Sequence, residues 1–154
     1  MCIRDRIETQ YDLKEALCAV RAARRYSHLP TFVTLTFSKT PRGFFTIMGD
    51  GLKKFTEAME HEKVPAFGAN CTLDSLEMLE LAKELRPLSS HPLIIEANSG
   101  RPVIDDAGNL TYSQNIDDYL HYIPMMIEAG INFIGGCCGT SPEYIQKMAK
   151  IIGK

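Results

Sequence analysis

Apolar positions recur along the chain with two spacings, and the two alternate. From 12 to 27 (DLKEALCAVRAARRYS), Leu13, Ala16, Leu17, Val20 and Ala23 fall one helical turn apart, which predicts an amphipathic helix. Residues 31–37 (TFVTLTF) are β-branched and aromatic and predict a strand. Helical spacing returns at 50–63, and a short apolar strand follows at 66–71 (AFGANC). A strong amphipathic helix is expected at 73–86, with Thr72 as its N-cap. Residues 92–100 (PLIIEANSG) predict a strand, and 115–130 a helix that Pro124 kinks and Gly130 ends. A strand at 131–139 (INFIGGCCG) leads to a last helix at 141–152, with Ser141 as N-cap, Pro142 at the first helical position and Glu143 in the first turn. Residues 6–10 (RIETQ) read as the tail of a strand ahead of the first helix, and the polar stretch 101–114 as a long loop with a turn near 106–108.

Strand then helix, five times over, means a parallel sheet in a doubly wound or a (β/α)8 arrangement. A (β/α)8 barrel typically needs ~250 residues. Five units are about five-eighths of one, so the chain reads as an incomplete barrel. Arg4, Asp5 and Arg6 stand where a buried parallel strand should be apolar. Residues 1–6 are therefore expected to be foreign to the domain or disordered, with the domain running from 7 to 154. A truncated parallel barrel leaves unpaired edges at its first and last strands, and edge-to-edge association is expected of it.

Composition narrows the function classes. The 154 residues are 45% hydrophobic and 23% charged, ordinary for a globular domain. A net charge of −2 gives no basic field for nucleic acid and no polybasic membrane patch. No apolar run approaches the ~20 residues of a membrane span, and MCIRDRIETQ has no signal-peptide core. A cytoplasmic protein is expected. Its five cysteines are odd in number and not spaced as a secreted disulfide framework, so they point to metal or catalysis.

Three of them fall where parallel α/β folds place their active sites, at the C-terminal ends of strands. Cys71 follows AFGAN, and Cys137 and Cys138 follow NFIGG. Three protein ligands are the pattern of a catalytic zinc, which keeps a fourth position open, and thiolates favour zinc over magnesium or calcium. Gly135, Gly136 and Gly139 let the backbone take unusual dihedrals and approach a ligand. The start of the last helix adds partial positive charge favourable to thiolates.

Blander readings compete with these. Cys71 alone fits a packed strand thiol. Cys137 and Cys138 also fit a vicinal disulfide or redox pair. Cys2 and Cys18 read as neutral, and His28, His61, His91 and His121 as surface histidines rather than ligands. Glu8, followed by Thr9 at the end of the first strand, suits either a substrate ammonium group or a salt bridge. Asn98, Ser99 and Gly100 offer polar contacts, or simply turn chemistry.

GANC at 68–71, EANSGRP at 96–102 and GGCCGT at 135–140, in that order, resemble the zinc-dependent homocysteine S-methyltransferases. That family includes the homocysteine-binding domain of cobalamin-dependent methionine synthase, betaine–homocysteine methyltransferase and S-methylmethionine-dependent enzymes. The resemblance covers nearly all of the chain from Ile7 onward. It implies the C-terminal part of a (β/α)8 TIM barrel, about strand 4 to helix 8, without the N-terminal half whose loops help bind the substrate carboxylate. It implies one Zn2+ per chain on Cys71, Cys137 and Cys138, and Glu8 on the homocysteine amino group. Asn98 would sit in a turn beside the site, reading ANSG where the family has a PNAG-like turn. The activity implied is methyl transfer to the homocysteine thiol, giving methionine. The donor stays open among methyl-cobalamin, betaine and S-methylmethionine, with the segment 35–49 as a place that meets it. A longer parent would carry cobalamin- and folate-binding domains. Alternatives are another small thiol, a selenol or a corrinoid-linked group as acceptor, a non-catalytic zinc-binding or inactive remnant, and a redox protein.

Overall fold

A computed structural model describes residues 3–153 of the chain, leaving Cys2 outside the described residues. The chain runs β1 (Asp5–Gln10), α1 (Leu13–Tyr26), β2 (Thr31–Leu35), β3 (Ser38–Thr40), β4 (Gly43–Phe45), α2 (Leu52–His61), β5 (Ala66–Asn70) and α3 (Ser75–Leu85). After a 3-10 turn at Arg86–Leu88 come β6 (Leu93–Ala97), β7 (Pro102–Ile104), β8 (Leu110–Tyr112), α4 (Ile116–His121), α5 (Ile123–Glu128), β9 (Phe133–Gly136) and α6 (Pro142–Ile152). Five strands form one parallel sheet in the order β1-β2-β5-β6-β9, with helices in the crossovers.

The sheet curls. Phe32 on β2 and Phe133 on β9 are separated by two intervening strands, yet their ring centroids lie 5.3 Å apart. Strands in a flat sheet sit about 4.8 Å apart, so three spacings would hold these strands roughly 14 Å apart. The rings meet because they point into the concave face of an arc, as barrel curvature requires.

On the other face the helices close the core. Phe37, Phe55 and Phe67 are buried and meet edge to face, at 5.6 and 5.4 Å between centroids. The helix α1 begins where the Asp12 side chain accepts the Lys14 amide at 2.6 Å, and it buries Leu13, Ala16 and Val20 as the spacing predicts. Gly68 is required by close approach: a Cβ there would lie 1.8 Å from the Ile94 carbonyl oxygen of the neighbouring strand.

Several expectations are corrected. The N-cap of α3 is Asp74, not Thr72; Asp74 and Glu77 form a reciprocal capping box, which satisfies two amides at once. The 115–130 helix is two helices, broken at Tyr122, because Pro124 in the first turn of α5 has no amide to continue α4. The polar stretch 101–114 is not a plain loop: β7 and β8 pair in it as an antiparallel hairpin, turned through Asp105 and Gly108. A second hairpin, β3–β4, occupies the 35–49 segment. No helix among the described residues is long and apolar enough to cross a membrane.

Candidate metal centre

The rim of the sheet, where the parallel strands end, gathers the cysteines. At the end of β5 the chain turns through Cys71 and Thr72, both left-handed at φ 66° and 65°. Such backbone is costly for residues with a Cβ. Here it is held by two bonds, from the Cys71 amide to the Glu96 carbonyl at 3.1 Å and from the Asn98 amide to the Leu73 carbonyl at 2.9 Å.

Past β9 the Cys137 amide donates to the Ala97 carbonyl at 2.8 Å, extending the ladder by one residue. The β6 end then clamps the next residue. The Cys138 amide donates to the Asn98 side-chain oxygen at 3.0 Å, and the Ser99 amide donates to the Cys138 carbonyl at 2.9 Å. Thr140 closes the turn, its hydroxyl donating to the Cys137 carbonyl at 2.7 Å. Of the three glycines expected to support this backbone, Gly139 has the left-handed φ, 79°, and lies so close under Tyr112 that a Cβ would meet the ring at 2.4 Å. Gly135 and Gly136 belong to the extended strand, facing Glu96 and Thr140.

The Sγ atoms of Cys71, Cys137 and Cys138 all lie within 4.8 Å of one another, and those of Cys71 and Cys138 are 3.7 Å apart. Zinc–sulfur bonds of about 2.3 Å at tetrahedral angles put neighbouring sulfurs roughly 3.8 Å apart, so this edge already has the spacing of a shared ion. Burial pushes the Cys137 thiol up to about 12, and the Cys71 sulfur adds to the rise, while a hydrogen bond from Asn70 opposes it. Cys138 is raised as well, first by burial and then by its contact with Cys71. Burial thus outweighs the expected help from the start of α6. Three crowded sulfurs, with Cys137 and Cys138 resisting ionisation, are a donor set that a cation turns to thiolates, since a coordinating thiol is deprotonated outright. The residues present fit a metal ion.

Beside Cys71 and Cys138 opens a cavity of about 600 Å3, whose walls include Leu73, Glu77, Asn98, Arg101 and Tyr112. Asn98 is thus at the site, 4% exposed, with its carbonyl oxygen committed to Cys138. Ser99 and Gly100 do turn work: the Ser99 hydroxyl contacts the Gln114 carbonyl and the Tyr144 hydroxyl, and Gly100 has φ 81°. Glu8 sits at the end of β1 but does not line the cavity. Its carboxylate accepts from Arg6 at 2.8 Å, and Arg6 also reaches Glu96 at 2.6 Å. The four histidines stay outside the cysteine cluster, and His91 is no bare surface residue: its ring packs 5.9 Å from that of Phe67.

Two residues at this rim escaped the sequence reading. Tyr112 was hidden in a segment read as loop. Asn70 stood in plain view inside GANC, and its 2% exposure is what sets it apart.

The family model described as Homocysteine S-methyltransferase matches residues 6–152. The chain belongs to the homocysteine S-methyltransferase family. It is 31% identical over 157 residues to methionine synthase of Mycobacterium leprae (strain TN), covering 96% of this chain and 12% of that protein. With homocysteine S-methyltransferase 2 of Arabidopsis thaliana it shares 31% identity over 113 residues, 70% of this chain and 33% of the relative. In structure it is similar to the Escherichia coli homocysteine methyltransferase MmuM. The apo form aligns at TM-score 0.76 and 21% identity over 97% of this chain and 49% of MmuM; the metallated form aligns at 0.75 and 20% over 97% and 45%. The chain therefore spans between an eighth and a half of the relatives it matches. Its fold is the C-terminal part of a (β/α)8 barrel, and the segment carries the rim that bears the cysteines.

Proposed function

We propose that residues 7–154 form the C-terminal part of a barrel that holds one Zn2+ on Cys71, Cys137 and Cys138 and transfers a methyl group to the thiol of homocysteine, giving methionine. The observation that carries the reading is the meeting of three sulfurs from two strand ends within 4.8 Å, in a chain of this family. Zinc, when bound, would supply the positive charge that lets a substrate thiol act as thiolate at neutral pH and would fix its direction.

The chain's own residues do the rest. Cys71, Cys137 and Cys138 would hold the ion, the three-ligand pattern of catalytic zinc sites. Asn98 fixes Cys138 through its backbone. The cavity beside Cys71 and Cys138 gives the acceptor and donor a partly apolar chamber between Leu73, Pro102 and Tyr112. Glu8 is the acceptor for the homocysteine ammonium group, which requires its carboxylate to exchange Arg6 for substrate. In the transfer a sulfur lone pair forms the new S–CH3 bond, and the donor takes the electrons of the bond that breaks. The donor is methyl-cobalamin, betaine or S-methylmethionine, and cobalamin- and folate-binding domains belong to the longer-protein version of this reading. A cytoplasmic location agrees with it, because a reducing compartment keeps these thiols available.

Zinc content of the purified protein tests the reading, for wild type and for Cys71→Ser and Cys138→Ser. About one zinc per chain in wild type, lost from both variants, is the expected result. Soluble wild type without zinc, its Cys137 and Cys138 oxidised to each other, would leave a redox pair instead.

A further inference from the structure

Asn70 is a buried amide to which the proposed chemistry assigns no task. It ends β5 immediately before Cys71 and is 2% exposed. Its side-chain oxygen accepts the Thr9 amide at 2.9 Å. Its side-chain nitrogen has two N–H groups and two acceptors, the Thr9 hydroxyl at 2.7 Å and the Cys137 sulfur at 3.7 Å. The backbone carbonyl of Asn70 takes the Thr36 hydroxyl at 3.1 Å. An amide with both ends committed does not swivel, so its place is defined.

What it holds is unusual on both sides. Thr9 is left-handed at φ 60° and follows Glu8 at the point where the β1–β2 ladder slips between Ile7 and Gln10. Two hydrogen bonds with Asn70, one accepted from the Thr9 amide and one donated to its hydroxyl, offset the strain of that backbone. On the other side stands the sulfur of the half-buried Cys137.

We propose that Asn70 is a positioning residue that joins the two parts of the site: one end of its amide holds the Thr9 turn that carries Glu8, and the other presents an N–H to the Cys137 sulfur. The inference rests on the metal reading above. The N–H draws electron density from Cys137 and makes it a poorer nucleophile. In a site where sulfur accepts a methyl group, this spares one of the protein's own ligands from being alkylated in place of substrate.

The test compares wild type with Asn70→Leu, which keeps the volume but has no donor, so that access to Cys137 does not widen. Both are treated with iodoacetamide, metal-free and after loading with zinc, and Cys137 and Cys138 are followed by peptide mass spectrometry. Each alkylation forms an S–CH2 bond, breaks the C–I bond and releases iodide; a free thiol also gives its proton to buffer. The expected result is a Cys137:Cys138 rate ratio several-fold higher in Asn70→Leu with zinc bound, where the sulfur is already a thiolate, and lower than wild type metal-free, where loss of the N–H leaves less of the thiolate that reacts, with zinc affinity about 10–100-fold lower. A ratio equal to wild type in both states overturns the role of Asn70, even if the variant melts earlier, because a purely structural residue would move only the melting temperature. Wild type that takes up no zinc overturns the methyl-transfer chemistry, while the metal-free ratio still decides Asn70. If Asn70→Leu does not fold, wild type loaded with 113Cd decides: a scalar coupling between an Asn70 side-chain amide proton and the metal is expected, and a loaded spectrum without it overturns the contact.

Discussion

The helix-facing core and the rim of strand ends lie a few residues apart and follow opposite rules. In the core, Val33, Phe67 and Ile95 are fully buried apolar side chains on extended backbone of ordinary geometry. At the rim, Thr9, Cys71 and Thr72 are left-handed without being glycine, and Asn70, Asn98 and Ser99 are polar yet buried. Residues in such backbone each cost on the order of 1–3 kcal/mol and persist only where their surroundings over-determine them. The contrast teaches that the core holds the strands in place and the rim spends part of that stability on aiming sulfurs and amides.

The hardest way to break the contrast is to attack the support. Phe67→Ala removes a fully buried ring that meets Phe55 edge to face. It should lower stability by about 3–5 kcal/mol in chemical denaturation, and the rim should fail with it. A loss under about 1 kcal/mol would mean that the core is not what sustains the rim.

A change at the rim itself should split stability from function. Thr72→Gly relieves a left-handed β-branched residue at φ 65°. The relief of about 1–2 kcal/mol exceeds the roughly 0.4–1 kcal/mol lost to a freer unfolded chain. The variant should therefore be as stable as wild type or slightly more so, while its zinc affinity falls as Cys71 loses its fixed direction. Chelator competition and thermal unfolding on the same samples check this; unchanged zinc affinity would show that the strain at Thr72 serves nothing at the metal.

The smallest effect lies far from both regions. Glu62 accepts from Arg21 at 2.7 Å and from Arg24 at 3.0 Å, and the Arg21 guanidinium foremost holds its carboxyl below the usual range. A carboxyl lowered by folding adds stability above its unfolded value and loses it as pH falls through the folded value. Glu62→Gln should thus be slightly less stable than wild type at neutral pH and converge with it in acid. Parallel acid-unfolding curves that never converge would remove these ion pairs from the account.

The sequence spoke clearly wherever a period had room to repeat. The helix spacing of α1, α3 and α6 and the β-branched run at β2 announced the alternation, and with it the parallel sheet. Strands of three residues, as in β3, β4, β7 and β8, are too short to show any period, so 101–114 was read as loop and no strand was expected within 38–45. The cap of α3 was legible and misread: Asp74 has Glu77 three residues on, the capping-box signature, and Thr72 has no such partner. The cysteines declared themselves as a doublet and a single at strand ends. Asn70 did not, because an amide inside an apolar run looks like a strand ending, and only its burial between Thr9 and Cys137 reveals its partners.

The β7–β8 hairpin has a kinetic consequence. It is tied at its base by the bonds between Arg101 and Ser113, and Arg101 reaches Glu77 at 3.7 Å, while Val103, Ile104 and Leu110 are exposed. A segment with so little buried surface opens locally, without the rest of the sheet. Its amides should exchange with solvent deuterium far sooner than those of β5 and β6, so the wall of the cavity that carries Tyr112 keeps its own clock.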